Sequence, residues 1–205
     1  YANDTYGNMG SSNKVYFTKI RLHIVNQTSP ACTTGDCYHS TIQDAVYHAS
    51  DGDTIIVCPG TYNEWVDVFK SLTIKSYSGN PTDTIVNASG ASGNYAGFEV
   101  DADYVNISGF TVTGFTGYTD IYPNSGILTY RSKYANVSNN KLTNNQVGVW
   151  LWQANYTIVE NNTVSSNARG IWLYDNSNNN TVRFNDVSGN TVGISLGEDG
   201  VALNN

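Results

Sequence analysis

"GVWLWQANYTIVENNTVSSNARGIWLYDN", residues 148–176, says nearly the same thing twice. Gly148-Val-Trp-Leu-Trp returns as Gly170-Ile-Trp-Leu-Tyr, and the same Gly-aliphatic step stands at Gly126-Ile-Leu-Thr-Tyr and Gly193-Ile-Ser-Leu-Gly, so the spacings are 22, 22 and 23. A second phrase runs between them with the same period: Val137-Ser-Asn-Asn140-Lys-Leu142, Val159-Glu-Asn-Asn162-Thr-Val164 and Val182-Arg-Phe-Asn185-Asp-Val187. Repetition of this length means stacked supersecondary units. The runs are short and alternate, and no copy holds the ten or more residues of 3.6-period pattern that a helix needs. Each repeat is therefore one turn of an all-strand coil.

Asparagine marks the bends. Asn140, Asn162, Asn185 and Asn204 fall in one column, and Asn145, Asn167 and Asn190 in a second. In a parallel stack like residues lie about 4.8 Å apart, so side-chain amides can bond up and down the column. Asparagine also tolerates the left-handed backbone of tight bends. The predicted fold is all-β, a single-stranded parallel β-helix.

The upstream chain reads as the same object with less regularity. Gly97-Phe-Glu-Val matches the Gly-aliphatic step, and Val105-Asn-Ile-Ser-Gly-Phe110-Thr-Val matches the second phrase with Phe110 in the asparagine position. A Tyr-rich insert at 117–125 lengthens one turn. Regular coils are expected over about 97–205, within a β-helix spanning 14–205. Ile42, Ala45, Val46 and Ala49 sit at helical spacing behind a Ser or Thr N-cap, which predicts a short N-terminal capping helix at about 41–50 over the open end of the stack. Ile20, Leu22 and Ile24 alternate with Arg21 and His23 in a first strand. Residues 1–13 are polar and Gly-rich and are expected to form an extended arm.

Composition bounds the function. Only 13% of the 205 residues are charged, the net charge is −7, and no run of Lys or Arg appears, which removes the electrostatic term behind nucleic-acid binding. No stretch approaches the roughly 18 apolar residues of a membrane span. A chain that opens at Tyr1 is expected to be secreted, with its signal peptide removed. Cys32 and Cys37 bracket a short polar loop, so a disulfide between them is expected, with Cys58 left over; Cys37 with Cys58 is the other pairing open. A metal site joining the cysteines to His39 lacks a second ligand pair at zinc spacing, and no metal or cofactor is expected. Sequons stand at Asn3, Asn26, Asn87, Asn106, Asn136, Asn155, Asn161 and Asn179, so N-linked glycans are candidate partners.

"STIQDAVYHASDGDTIIVCPGTYNEWVDVFKSLTIKS", residues 40–76, resembles the opening segment of right-handed parallel β-helix proteins of the pectate-lyase-like and NosD-like superfamily, and "NNTVRFNDVSGNTVGISL" resembles their coil repeat. That resemblance implies the fold over about 40–205, and with it a right-handed single-stranded parallel β-helix. It implies little about activity, because the superfamily holds polysaccharide lyases and hydrolases, tailspikes, adhesins and archaeal cell-surface proteins. The Asn- and Tyr-rich character is closest to the archaeal surface proteins.

If Val149 and Leu151 point inward, Trp150 and Trp152 point outward, as do Trp172 and Tyr174 one coil on and Leu128 and Tyr130 one coil before. An exposed aromatic plate three coils tall is expected, and a contiguous patch marks a contact surface. Another subunit, the Tyr-rich insert or a sugar could cover it; a subunit contact is favoured. Five residues on from each repeat glycine stand Arg131, Gln153, Asp175 and Glu198, so Asp175 and Glu198 are the candidate catalytic carboxylates or calcium ligands, and Glu99, Asp101 and Asp103 form another outward acidic row. No complete catalytic set is visible, and the reading leans away from an enzyme. Val201 and Leu203 belong to a last coil with no cap after it, a template for addition of another copy. The expected function is a structural subunit of an extracellular filament, sheath or surface layer built by self-association, and the alternative is a carbohydrate-active protein, lyase, hydrolase or binder, that uses the aromatic columns on an extracellular polysaccharide.

Overall fold

The computed structural model describes residues 20–27, 37–88, 96–116 and 123–197. Within them the chain winds as a parallel β-helix with three faces. The first sheet has eight strands, from Thr181–Arg183 at one end to Leu22–Val25 and Cys37–His39 at the other; the second and third have six each, running from Asp186–Ser188 to Gly60–Tyr62 and from Val192–Leu196 to Val66–Val68. Every pairing between strands is parallel. The predicted register holds: Val149 pairs with Ile171 and Ile127, Trp150 with Trp172 and Leu128, and Val137 with Val159 and Ile107.

The inward side chains form one continuous core from Val25 through Phe98, Phe110 and Leu142 to Leu173. Its sequence signature is the Gly-aliphatic step. A Cβ at Gly148 would lie 2.6 Å from the carbonyl oxygen of Gly170 and 2.5 Å from Val164 Cγ1, so the backbone approach at that corner admits only hydrogen.

The asparagine columns are ladders. Asn162 Oδ1 accepts from the backbone N–H of Asn140 at 2.9 Å, Asn185 Oδ1 accepts from that of Asn162 at 2.9 Å, and each Nδ2 donates to a strand carbonyl of the preceding coil. Asn145, Asn167 and Asn190 repeat the arrangement, and Phe110 and Phe115, which lack an amide, end the ladders by donating their N–H to Asn140 and Asn145. The left-handed conformation falls one residue earlier than expected, at Asn139, Asn161 and Phe184 and at Asn144 and Ser166. The reason is a division of labour: the preceding residue turns the chain, and the ladder asparagine, buried at 140, 145, 162 and 167, satisfies the backbone that the turn leaves unpaired. Asn204 lies outside the described residues.

The cap is the helix Ile42–His48, with Thr41 as N-cap and Ile42, Ala45 and Val46 buried. The carboxylate of Glu64 accepts from the N–H groups of Ile42 and Gln43, and Lys70 Nζ donates to the carbonyls of Val46, Tyr47 and Ala49, so both ends of the helix are tied to the coil below. The first strand is Leu22–Val25, with a side assignment that alternation alone could not give. Val25 joins the main core and His23 is buried on the same side, while Ile24 packs in a separate cluster with Ile56, Cys58 and Leu22.

Cys58 is disulfide-bonded, which overturns the expected Cys32–Cys37 bridge that left it over. Cys37 pairs with His23, which pairs with Ile55, so Cys37 stands two strands across and three residues along from Cys58. That is roughly 14 Å by strand geometry, beyond disulfide reach, so the alternative Cys37–Cys58 pairing fails as well. The expected arm at 1–13, Cys32 and Asn3 lie outside the described residues.

Candidate functional site

Each regular coil leaves the third sheet through a polar turn before entering the first sheet, and these turns stack into one corner of the molecule. Tyr130, Trp152 and Tyr174 pair in register at the sheet side of the corner. Arg131, Gln153 and Asp175 follow, all with left-handed backbone, and Tyr134 and Tyr156 stand three residues beyond Arg131 and Gln153. The corner thus carries two ladders of rings with a polar column between them.

On the sheet side the rings cover one another. Trp150 is sandwiched between Trp152 and Trp172, with both centroids at 5.2 Å and interplanar angles of 8° and 9°. Tyr130 leans on Trp152 and Tyr174 on Trp172, each at 4.7 Å. This corrects the expected open plate: Trp150 is 1% exposed and Leu128 3%, and they form a second small core with Ala96 and Val147, while Tyr130, Trp152, Trp172 and Tyr174 are half-buried around it. The physical reason is ring size, since neighbouring strands leave less room than an indole fills and the rings tilt onto each other.

The exposed ladder is the one that sequence reasoning missed. Tyr104, Tyr134 and Tyr156 stack at 4.9 Å and 5.1 Å with angles of 11° and 15°, and are 61, 45 and 48% exposed. All three have φ near +60°, a conformation that a bulky side chain adopts at a cost. The signal was present as a tyrosine one residue ahead of each first-sheet entry, at Val105, Ala135 and Thr157.

Between the ladders, Arg131 Nε donates to Gln153 Oε1 at 2.9 Å and Gln153 Nε2 donates to Asp175 Oδ2 at 2.6 Å. The Arg131 guanidinium also lies over the Tyr130 ring. Asp175 further accepts from Trp152 Nε1 and from Asn176 Nδ2. The predicted catalytic candidate is therefore a hub that fixes Trp152 and Gln153. Its predicted partner Glu198, with Val201 and Leu203, lies outside the described residues. The last described strand leaves Val192, Ile194 and Leu196 exposed by 40, 51 and 53%.

Of the predicted acidic row, Asp101 and Asp103 are exposed and Glu99 is half-buried, paired in register with Asp67. Burial pushes the Glu99 carboxyl up to about 7, helped by the negative charges of Asp101 and Asp67. Burial also raises Asp67, and it raises Asp101 with help from Asp67 while Arg131 opposes the shift.

A second cluster lies at the capped end. His23, His39 and His48, all the histidines of the chain, meet there with Asp44 and Asp53. Asp53 Oδ2 contacts His23 Nε2 at 3.2 Å, His23 Nδ1 contacts His39 Nε2 at 3.1 Å, and His39 Nδ1 contacts Asp44 Oδ2 at 2.6 Å. His48 Nδ1 donates to the Asp44 carbonyl at 2.9 Å. Burial acts to raise Asp53, but hydrogen bonds from the N–H groups of Ser50 and Arg21 and from His23 outweigh it and hold the carboxyl below its usual range. The sequence signal was Asp44 four residues before His48 on one helix face, with His39 just ahead.

Among the predicted sequons, Asn161 and Asn179 are exposed, whereas Asn26, Asn87, Asn106, Asn136 and Asn155 are half-buried. Asn155 accepts from the backbone N–H of Asn178 and donates to Gln153.

The profile of the family described as "Periplasmic copper-binding protein (NosD)" matches residues 7–204. Among solved structures, Escherichia coli YbhC aligns with TM-score 0.59 and 13% identity over 87% of this chain and 59% of that one. A pectin methylesterase in complex with a hexasaccharide aligns with TM-score 0.55 and 13% identity over 79% of this chain and 56% of that one. The chain thus spans less than two thirds of either structure, and at such identity the likeness speaks for the fold alone. Among curated proteins no relative matches. With a family profile covering nearly its whole length and the coil geometry to go with it, this chain belongs to the NosD family of parallel β-helix proteins.

Proposed function

We propose that this protein is an extracytoplasmic, glycan-binding β-helix whose ligand lies across the corner between the third and first sheets. The observation that carries the reading is the polar column Arg131–Gln153–Asp175 flanked by the ring ladders Tyr130–Trp152–Tyr174 and Tyr104–Tyr134–Tyr156. Sugars present flat C–H faces and a rim of hydroxyls; exposed rings take the first, and guanidinium, amide and carboxylate groups take the second. The family's periplasmic description and the disulfide at Cys58 agree with an oxidising compartment. No helix among the described residues is long and apolar enough to cross a membrane. The hexasaccharide bound to the structurally similar methylesterase supports the reading only by analogy of fold.

Binding without turnover is the form favoured, because three donors already hold Asp175. Affinity electrophoresis against acidic and neutral polysaccharides tests it. Retardation by at least one polysaccharide, lost in Tyr134→Ala and Tyr156→Ala with no release of reducing ends, supports the proposal. A wild-type chain that no polysaccharide retards, or retardation that both variants keep, refutes it.

A second reading, a self-associating subunit of a filament, sheath or surface layer, draws on the exposed Val192, Ile194 and Leu196. A second copy is the proposed cover of that face. Light scattering at rising concentration should find polymers that Ile194→Asp abolishes, and a monomer throughout would end this reading.

The family's description also names copper. One ring nitrogen each from His39 and His48 and a carboxylate oxygen of Asp44 lie within 4.8 Å of one another, and a set of imidazole and carboxylate donors suits copper(II). These three residues would hold the ion, which would supply a fixed positive charge linking the helix to the strand Cys37–His39.

A further inference from the structure

Asn161-Asn162-Thr163 and Asn179-Asn180-Thr181 are the two Asn-Asn-Thr triplets of the chain, and the fold treats them alike. In each, the first asparagine is exposed on a left-handed turn, at φ +55° and +58°, and the threonine is exposed at the first position of a strand. The middle asparagine is held by the fold. Asn162 serves its ladder, while Asn180 accepts from the Thr157 N–H and donates to the Ala154 carbonyl. The outer amides of Asn161 and Asn179 have no hydrogen-bond partner among the described residues.

Each outer asparagine also has an exposed aromatic ring on the adjacent coil of its own column. Ile158 pairs with Thr181, which sets Tyr156 beside Asn179, and Thr163 pairs with Asp186, which sets Phe184 beside Asn161. Asn179 is therefore the next rung of the tyrosine ladder. Tyr134 and Tyr156 lie 15° from parallel, so one face of Tyr156 is covered by Tyr134 and the other is turned toward the coil of Asn179. Phe184 is 78% exposed, and its ring contact among the described residues is the Arg183 guanidinium at 5.7 Å.

We propose that Asn161 and Asn179 carry N-linked glycans and that the first sugar of each is seated on the neighbouring ring, Phe184 for Asn161 and Tyr156 for Asn179. Adjacent coils lie about 4.8 Å apart, and the tyrosines already stack at 4.9 and 5.1 Å. A pyranose on Asn179 takes the next place in that stack, with its C–H face against the ring. The transfer itself belongs to a separate transferase. The bond from C1 to the phosphate of a lipid-linked oligosaccharide breaks, a bond from C1 to Nδ2 forms, the amide gives up one proton, and the lipid phosphate leaves. The half-buried sequons lack these conditions: Nδ2 of Asn106 donates to Thr73 and that of Asn155 to Gln153, and Oδ1 of Asn136 is shut off from solvent. A glycan at any of them would displace packed groups. The seat also gives a use to Phe184, whose bare ring offsets none of the strain of its left-handed backbone.

Glycopeptide mass spectrometry of the full chain, purified from the cells that make it, should find glycan on Asn161 and Asn179 and none on Asn106, Asn136 or Asn155. Thr163→Val and Thr181→Val remove the acceptor signals at exposed strand positions and leave both asparagines in place. Made in the same cells, each should lower the melting temperature by about 2–4 °C. Phe184→Ala should cancel the Thr163→Val effect, and Tyr156→Ala the Thr181→Val effect, as coupled pairs do. The same pairs made in a host without the transferase should show no coupling. Absence of glycan from either asparagine, or melting shifts that add in the glycosylated chain, overturns the proposal. Retardation of the Thr163→Val, Thr181→Val double variant by free polysaccharide reads the noncovalent glycan site separately, so either idea can fail without the other.

Discussion

The side-chain carbonyl of Asn162 accepts two hydrogen bonds from Asn140, one from the backbone N–H at 2.9 Å and one from Nδ2 at 3.2 Å, across 22 residues of sequence. Its own Nδ2 donates to Val137 O at 2.8 Å. Asn162→Ala removes all three and strands a buried N–H and a buried carbonyl, so a loss of about 2–4 kcal/mol is expected. Chemical denaturation measures it, with the exposed Lys141→Ala as a control expected within about 0.5 kcal/mol of wild type.

Gly148 and Gly193 occupy the same place in successive repeats and differ in what surrounds them. A Cβ at Gly148 would meet backbone and side chain at 2.6 and 2.5 Å, but among the described residues one at Gly193 would meet only Val187 Cγ1, at 4.0 Å. Gly148→Ala should cost about 1–3 kcal/mol or more by overpacking, and Gly193→Ala should be near neutral. Paired thermal melts decide, and equal effects would mean that the glycine column does not owe its identity to crowding.

Phe184 holds φ +56° with its ring 78% exposed, where the two coils before it use Asn161 and Asn139. The ring gains little burial in exchange for a left-handed backbone. Phe184→Asn should raise stability by about 1 kcal/mol, read from the denaturation midpoint at unchanged slope.

Glu99 gives stability a pH dependence of definite sign. Its carboxyl is pushed up to about 7 in the fold and returns to its ordinary 4.5 when unfolded, so between these values the folded state binds more protons. Its contribution is therefore greatest below about pH 4.5 and is lost as pH rises through 7. Glu99→Gln should leave stability nearly unchanged at pH 4.5 and raise it at pH 8 by ~1–2 kcal/mol, discounted for solvent screening. Melting temperatures of the two proteins across that range provide the check.

Cys58 is bonded, and Cys37 stands out of its reach. Peptide mapping without reduction should recover Cys32 joined to Cys58 and label Cys37 as a thiol. A Cys37–Cys58 peptide would contradict the register of the first sheet.

The fold was legible because a parallel stack repeats one environment at each turn, and the 22-residue period, the glycine step and the asparagine columns each record a constraint that recurs. The aromatic corner was legible only in part. Alternation sent Trp150 outward correctly, but whether an outward ring meets water depends on its neighbours on adjacent coils, and these buried it. Tyr104, Tyr134 and Tyr156 escaped notice because their spacings of 30 and 22 span the irregular coil as well as the regular one.

The sequence by itself determined the coil, its register and the order of residues along each column, since these follow from periodicity within one stretch of chain. Only the tertiary structure decided that His23, His39 and Asp53 meet, that Cys58 is bonded, and which ring ladder faces solvent. Those depend on which side of a strand the cap covers and on contacts between residues with no fixed spacing, and no local pattern encodes either.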